Sequence, residues 1–127
     1  MIRDAEQRVR DFLLADADVN AAVGGRVAVG ELRAGVQLPA IAIQGSDMQV
    51  EQSLSDPAVV SRVSVLVAVW GQGRPATIAV CDKVLLRITS EAAASEGIWF
   101  QSGARGPQLE EHESDIYSCT ASVDVWL

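Results

Sequence analysis

A chain of 127 residues is the size of one ordinary domain and is long enough to bury its own core. Apolar residues make up 49% of it and aromatics only 5%, so that core has to be built from Val, Ala, Leu and Ile. With a net charge of -7 the chain is a poor candidate for gripping nucleic acid, which needs clustered Lys and Arg, but not for a surface along which nucleic acid slides without sticking.

Residues 2–15 read as a helix. Ala5, Val9, Phe12 and Leu13 form its apolar stripe, and Arg3, Glu6, Arg8, Arg10 and Asp11 are expected to face water. Asp18 is the expected N-cap of a short turn over 19–23, and Gly24-Gly25 ends that turn. Residues 26–30 form a short strand. Pro39 opens a second strand over 40–44, since proline fits at a strand's first residue. Residues 45–50 either extend this strand with a bulge or leave the sheet. Residues 51–57, ending in Asp56-Pro57, read as a mobile loop or hairpin tip.

The clearest element spans 59–70. Val59, Val63, Val65, Val67 and Val69 point one way, while Arg62, Ser64, Leu66, Ala68 and Trp70 point the other. A period of two in a β-branched run is a strand with one strongly apolar face. After the turn at 71–75 the period changes. Ile78, Cys81, Leu85, Ile88 and Ala92 recur at helical spacing with Val84 beside them, predicting a packed helix over 76–92. Residues 93–97 are a connector and 98–102 a strand. Residues 103–107 form a turn, or a bend within a longer segment, and 110–115 an acidic tract. The last strand alternates: Tyr117, Cys119, Ala121, Val123 and Val125 share one face, and Ser118, Thr120, Ser122 and Asp124 the other.

This order, α-β-β-β-α-β-β, predicts an α+β fold. A mostly antiparallel sheet of four to five strands, arranged as hairpins, is covered on one face by two helices and polar on the other.

Candidate chemistry is sparse. His112, the only histidine, lies in the acidic tract and reads as a solvated side chain. One histidine with Cys81 and Cys119 cannot build a zinc site of ordinary spacing, and both thiols read as core residues in a reducing compartment. The acidic tract lacks the pattern of a calcium loop. Gly71-Gln72-Gly73-Arg74-Pro75 lacks the lysine of a phosphate loop. No catalytic residue, cofactor or metal is therefore expected, and an interaction role is favoured over an enzyme. The candidates for a subunit interface or lumen are Arg62, Ser64, Trp70, Trp126, Glu110, Glu111, Glu113 and Asp115. The charged first residues are unlike a signal peptide, and no apolar run is long enough to span a bilayer, so a soluble protein made in a cytoplasm is expected.

Four stretches stand out: Val23-Gly24-Gly25-Arg26-Val27 after the first helix, Leu38-Pro39-Ala40-Ile41-Ala42-Ile43, the strand 62–70 ending in Trp70 with its following helix, and Glu113-Ser114-Asp115-Ile116-Tyr117 before the last strand. Together they resemble the tail completion, or tail terminator, proteins of long-tailed phages, which also occur in prophages and gene transfer particles. Segment 103–111 is less typical. The resemblance implies one tail-terminator-like domain over 1–127. It implies a ring, commonly a hexamer, at the head-proximal end of the tail, located in the virion and assembled in the host bacterial cytoplasm. Such a ring stops tail-tube polymerisation and joins tail to head. Its partners would be further copies of itself, the tail tube protein and a head connector or head-completion protein, with no membrane. DNA would pass through the lumen unbound, and an acidic ring suits that passage. The alternatives are a neighbouring neck, head-closure or tail-tube subunit, and, from a different class, a small ligand-binding α+β domain.

Overall fold

The computed structural model describes residues 2–51, 59–101 and 103–127. In chain order the elements are α1 (Ile2–Leu14), α2 (Ala17–Val23), β1 (Val27–Val29), β2 (Ala40–Glu51), β3 (Val59–Gln72), α3 (Arg74–Ile88), α4 (Glu91–Ser95), β4 (Ile98–Phe100), β5 (Arg105–Glu111) and β6 (Ile116–Trp126). The reading of 51–57 as a loop lies, beyond Glu51, outside the described residues.

The strands form one sheet in the order β1-β2-β3-β6-β4, with β5 also paired to β6. β3 is central because its Val/Leu/Ala run has partners on both sides. It pairs antiparallel with β2 (Ile43↔Val67) and with β6 from Arg62↔Trp126 to Gln72↔Ile116. The expected α+β class and mostly antiparallel sheet are what the chain adopts. The sheet holds six strands in five positions, because β4 and β5 lie one after the other along the same edge of β6. β4 pairs with residues 123–125 and β5 with residues 116–120. One pairing departs from the expected hairpins: β1 runs parallel to β2, across the 30–39 connection.

Valine parity fixes the covered face. Val63, Val65, Val67 and Val69 are buried, opposite buried Val125, Val123, Ala121 and Cys119 on β6. Buried Ile41, Ile43, Val27 and Ile98 continue the layer onto β2, β1 and β4. Helices α1 and α3 pack on it: α1 against β1, β2 and β3, and α3 against β3 and β6. The α1 stripe is the expected Ala5, Val9, Phe12 and Leu13. Three of its charged residues do not simply face water: Arg8 Nη1 donates to the Trp126 carbonyl at 2.8 Å. Arg10 Nε donates to the Val27 carbonyl at 3.0 Å, and Glu6 Oε2 accepts from Gly45 N–H at 2.8 Å. Residues 45–50 do extend β2, with register shifts at Gly45/Met48 and Gln49/Val50. A bulge leaves backbone groups unpaired, and Glu6 satisfies one of them.

Helix α3 differs from expectation in length and face. It ends at Ile88, and its buried residues are Thr77, Val80, Val84 and Ile88, with Cys81 and Leu85 half-buried. Ala92 therefore lies in a separate helix, α4, whose N-cap Ser90 accepts from Ala93 N–H. Similarly, the cap of α2 is Asp16, not Asp18: its carboxylate accepts from Asp18 and Val19 N–H at 2.8 and 3.3 Å. The acidic residue two positions on sits in the first turn, where the helix dipole favours it.

Candidate functional site: the open sheet face

Parity sends the remaining side chains of β3 and β6 away from the helices. The outward face is organised in cross-strand rows: Ala40, Trp70 and Ser118; Ala42, Ala68 and Thr120; Gln44, Leu66 and Ser122; Ser64, Asp124 and Trp99; Arg62 and Trp126. Four of the sequence candidates, Arg62, Ser64, Trp70 and Trp126, thus share one surface. Trp70 is half-buried, flanked across the ladder by buried Ala40 and Ser118. Trp126, at the opposite end of β3, is 45% exposed.

Around Arg62 the face carries a connected polar network. Ser64 Oγ donates to Asp124 Oδ1 at 3.0 Å, and Gln101 Nε2 donates to both Ser64 Oγ, at 3.3 Å, and Asp124 Oδ1. Arg62 Nη1 lies 3.6 Å from Asp124 Oδ2, and its guanidinium sits 5.8 Å from the Trp126 ring centroid. Asp124 is mostly covered, and each of its oxygens faces a donor.

Two members of this patch escaped the sequence reading. Trp99 is 54% exposed, directly across the ladder from Asp124. The signal for it was available: Ile98 is buried and Phe100 half-buried on the covered side, so parity places Trp99 outside. Gln101 follows β4, where its backbone N–H donates to the Ser122 carbonyl at 2.9 Å.

The acidic candidates lie elsewhere. Gln72 pairs with Ile116 at one end of the β3–β6 ladder and Arg62 with Trp126 at the other, about 34 Å apart at strand rise. Glu110 and Glu111 end β5, and 112–115 turn into β6, so the tract is a hairpin tip next to the Gln72 end. Ser118 Oγ donates to Glu110 Oε1 at 2.6 Å and Ser114 Oγ to Glu111 Oε1 at 2.7 Å, while Glu113 is exposed. Asp115 adopts a left-handed backbone, φ 56°, which asparagine and aspartate tolerate best among residues with a side chain. Its carbonyl accepts from Gly73 N–H at 2.8 Å, and Gln72 Nε2 donates to the Ser114 carbonyl at 3.2 Å. The hairpin tip is thereby fastened to the turn before α3, and that turn spends its glycine N–H on protein.

The arrangement offers contact surface, with little chemistry. Among the described residues, no group of three His, Cys, Asp or Glu is placed to hold a metal ion. Cys81 and Cys119 are free thiols at the α3–sheet junction. Burial first, then the hydrogen bond and charge of Cys119, then Asp82, push the Cys81 thiol up to about 12, so it stays protonated. An open cleft of about 780 Å³ lies on the helical side, walled by Gln7, Arg8 and Asp11 of α1 and by Ser95 and Glu96 near α4. Arg87 at its floor is already bonded to the Phe12 carbonyl.

Residues 7–126 match the family of the tail completion protein gp17. The chain belongs to that family. The resemblance carried by the 23–27 turn, the Pro39 strand and the strand ending at Trp70 is thus borne out, and the chain has the structural role of a phage tail component. Two solved structures share the fold of this tail completion family member. A chain of the virion of a native gene transfer agent particle is 16% identical, with a TM-score of 0.72, over 98% of this chain and 96% of that one. The gp17 protein of bacteriophage SPP1 is 11% identical, with a TM-score of 0.58, over 98% of this chain and 89% of that one. A search of curated protein sequences found no match.

Proposed function

We propose that this protein is a non-enzymatic ring subunit, hexameric, that caps the head-proximal end of a phage or phage-like tail. It ends polymerisation of the tail tube and joins tail to head, with DNA passing through the lumen. The observation that carries this reading is the uncovered sheet face. Among its Ser, Thr, Gln and Ala side chains it exposes Trp99, Trp126 and Leu66 together at one end, large apolar groups that a domain acting alone would have no reason to leave in water. The tail completion family supplies the setting. The charge of -7 suits a channel that repels phosphate and does not retain DNA.

Closed cyclic symmetry requires two different patches on each subunit. The tryptophan end of the sheet face and the acidic hairpin tip, at opposite ends of the β3–β6 ladder, leave room for separate contacts to a neighbour, the tube and the head connector.

The test is assembly. Light scattering after size exclusion should show a ring, either alone or on mixing with the tail tube protein. Tails assembled without this protein should be overlong in electron micrographs. A protein that stays monomeric with its tube partner present, and leaves tail length unchanged, would end this reading.

A further inference from the structure

We propose that the tryptophan-lined end of the open sheet face, centred on Asp124, is the surface on which a second copy of this chain sits. The inference rests on the ring reading above and adds to it the face used and the residues that anchor it.

The first argument is the kind of surface exposed. Trp99 and Trp126 are 54% and 45% exposed, and Leu66, one row away, is 36% exposed. Trp99 faces Asp124 across the ladder and Trp126 follows two residues later, so the two indoles are diagonal neighbours within reach of one another. Tryptophan and arginine are the residues that concentrate at the energetic centres of interfaces.

The second argument is that the polar groups here are prepared for burial. A carboxylate covered by a partner is strongly unfavourable if it loses water without gaining donors. Asp124 already holds Ser64, Gln101 and Arg62, and no buried side-chain polar atom described in this structure lacks a partner. Covering the patch therefore leaves the Asp124 carboxylate supplied with donors, and the indole N–H groups of Trp99 and Trp126 are the donors that an incoming copy has to meet with acceptors.

Charge then selects the occupant. Every copy carries a net charge of -7, so most contacts between copies bring like charge together. On this end of the face, the charged side chains described on β3, β4 and β6 are Arg62 and Asp124, which neutralise each other, and the Arg8 guanidinium of α1 adds a positive charge at the Trp126 carbonyl. A strongly basic partner would gain nothing from such a patch, and would be drawn to acidic surface such as the tip around Glu111 and Glu113. A second acidic copy meets its least repulsion here.

The tryptophan end is the anchor of a wider contact. Five strand positions about 4.8 Å apart, and a ladder running from Arg62 to Gln72, give the whole face roughly 20 Å by 35 Å. A copy anchored at that end and spreading over the face reaches the order of the ~800 Å² that each partner contributes to a stable interface.

The experiment follows tryptophan emission and mass by light scattering over a range of protein concentration. Assembly should shift emission to the blue as the exposed indoles lose water, and Trp99→Phe and Trp126→Phe should each remove part of that shift. Arg62→Glu places two carboxylates on the patch. It should raise the concentration for half-assembly at least tenfold at low salt, and added salt should recover much of the loss. Circular dichroism checks that each variant is folded, and Leu86→Glu, on the exposed side of α3, is the control that should assemble normally. A ring that forms with unshifted emission and is indifferent to Arg62→Glu would show that another face is used. A blue shift seen only on adding tail tube protein would assign the patch to that partner. Either result overturns this proposal and leaves the ring reading standing. A monomer under every condition overturns both.

Discussion

Arg87 of α3 lies against the ring of Phe12, its guanidinium carbon 3.7 Å from the ring centroid, and donates from Nε and Nη2 to the Phe12 carbonyl at 3.1 and 3.0 Å. The same Nε is 3.8 Å from Asp16 Oδ2, the carboxylate that caps α2. One side chain from the second half of the chain therefore closes the C-terminal end of α1 and braces the start of α2. Arg87→Ala should lower stability by about 2 kcal/mol, the worth of a charge-assisted hydrogen bond plus a partly covered cation–π contact. Arg87→Lys should recover only part of this, because lysine keeps the charge without the planar fork. Urea denaturation of the three proteins measures both; equal stability of wild type and Arg87→Ala would mean that the contact contributes nothing net.

The Arg87–Phe12 contact also shows where sequence reading stops. Parity and helical period placed Val63 to Val69, Cys119 to Val125 and the stripe of α1 correctly, because each is a local pattern that burial reinforces. β5 was not legible. It pairs on one side, six of its seven residues are exposed, and it includes Gly106 and Pro107, so no alternation was imposed on it. The face of α3 was misjudged because Thr77 looks polar. Its hydroxyl donates to the Gly73 carbonyl at 2.8 Å, and so it can be buried. The open face was half-legible: Arg62, Ser64, Asp124 and Trp126 follow from parity. Bringing Trp99 and Gln101 to them depends on which edge β4 takes, a choice made by tertiary packing.

Val65 and Trp70 lie on the same strand and should respond differently. Val65 is fully buried, opposite Gly45 and Val123. Val65→Asp puts a carboxylate among valines with no partner and should leave the chain unfolded, seen as loss of the cooperative thermal transition. Trp70 is half-buried on the other face, so Trp70→Ala should give a folded subunit, destabilised by about 1–3 kcal/mol, with weakened assembly. If Trp70→Ala abolished folding, the indole would belong to the core.

Gly71 and Gly45 make a second contrasting pair. A Cβ at Gly71 would stand 2.4 Å from Thr77 Oγ1 and 3.2 Å from Thr77 Cα, so relief requires moving the first turn of α3. At Gly45 it would meet Ile2 Cγ2 at 2.5 Å and Glu6 Cγ at 3.4 Å, side-chain atoms of α1, with no backbone atom among its nearest contacts. Gly71→Ala should cost about 1–3 kcal/mol, as overpacking does, and Gly45→Ala clearly less. The order of their urea midpoints checks this, and the reverse order would mean that the β3–α3 turn is the softer of the two.

The thiol pair gives stability a pH dependence at the alkaline end. Folding raises the Cys81 thiol from its ordinary 9.0 to about 12, chiefly by burial. A group raised by folding contributes fully below its unfolded value, because there both states are protonated and the charged form is never demanded of the core. Between pH 9 and 12 the unfolded chain has lost this proton while the folded chain keeps it, so stability falls as pH rises through that window. Cys81→Ala removes this contribution, and its stability should decline less steeply than wild type between those limits. Parallel urea titrations at pH 8, 9.5 and 11 would show the two curves diverging; curves that stay parallel would mean that the thiol ionises equally well in the folded protein. At neutral pH the same burial predicts slow alkylation of Cys81 by iodoacetamide in the folded chain, becoming fast once urea unfolds it.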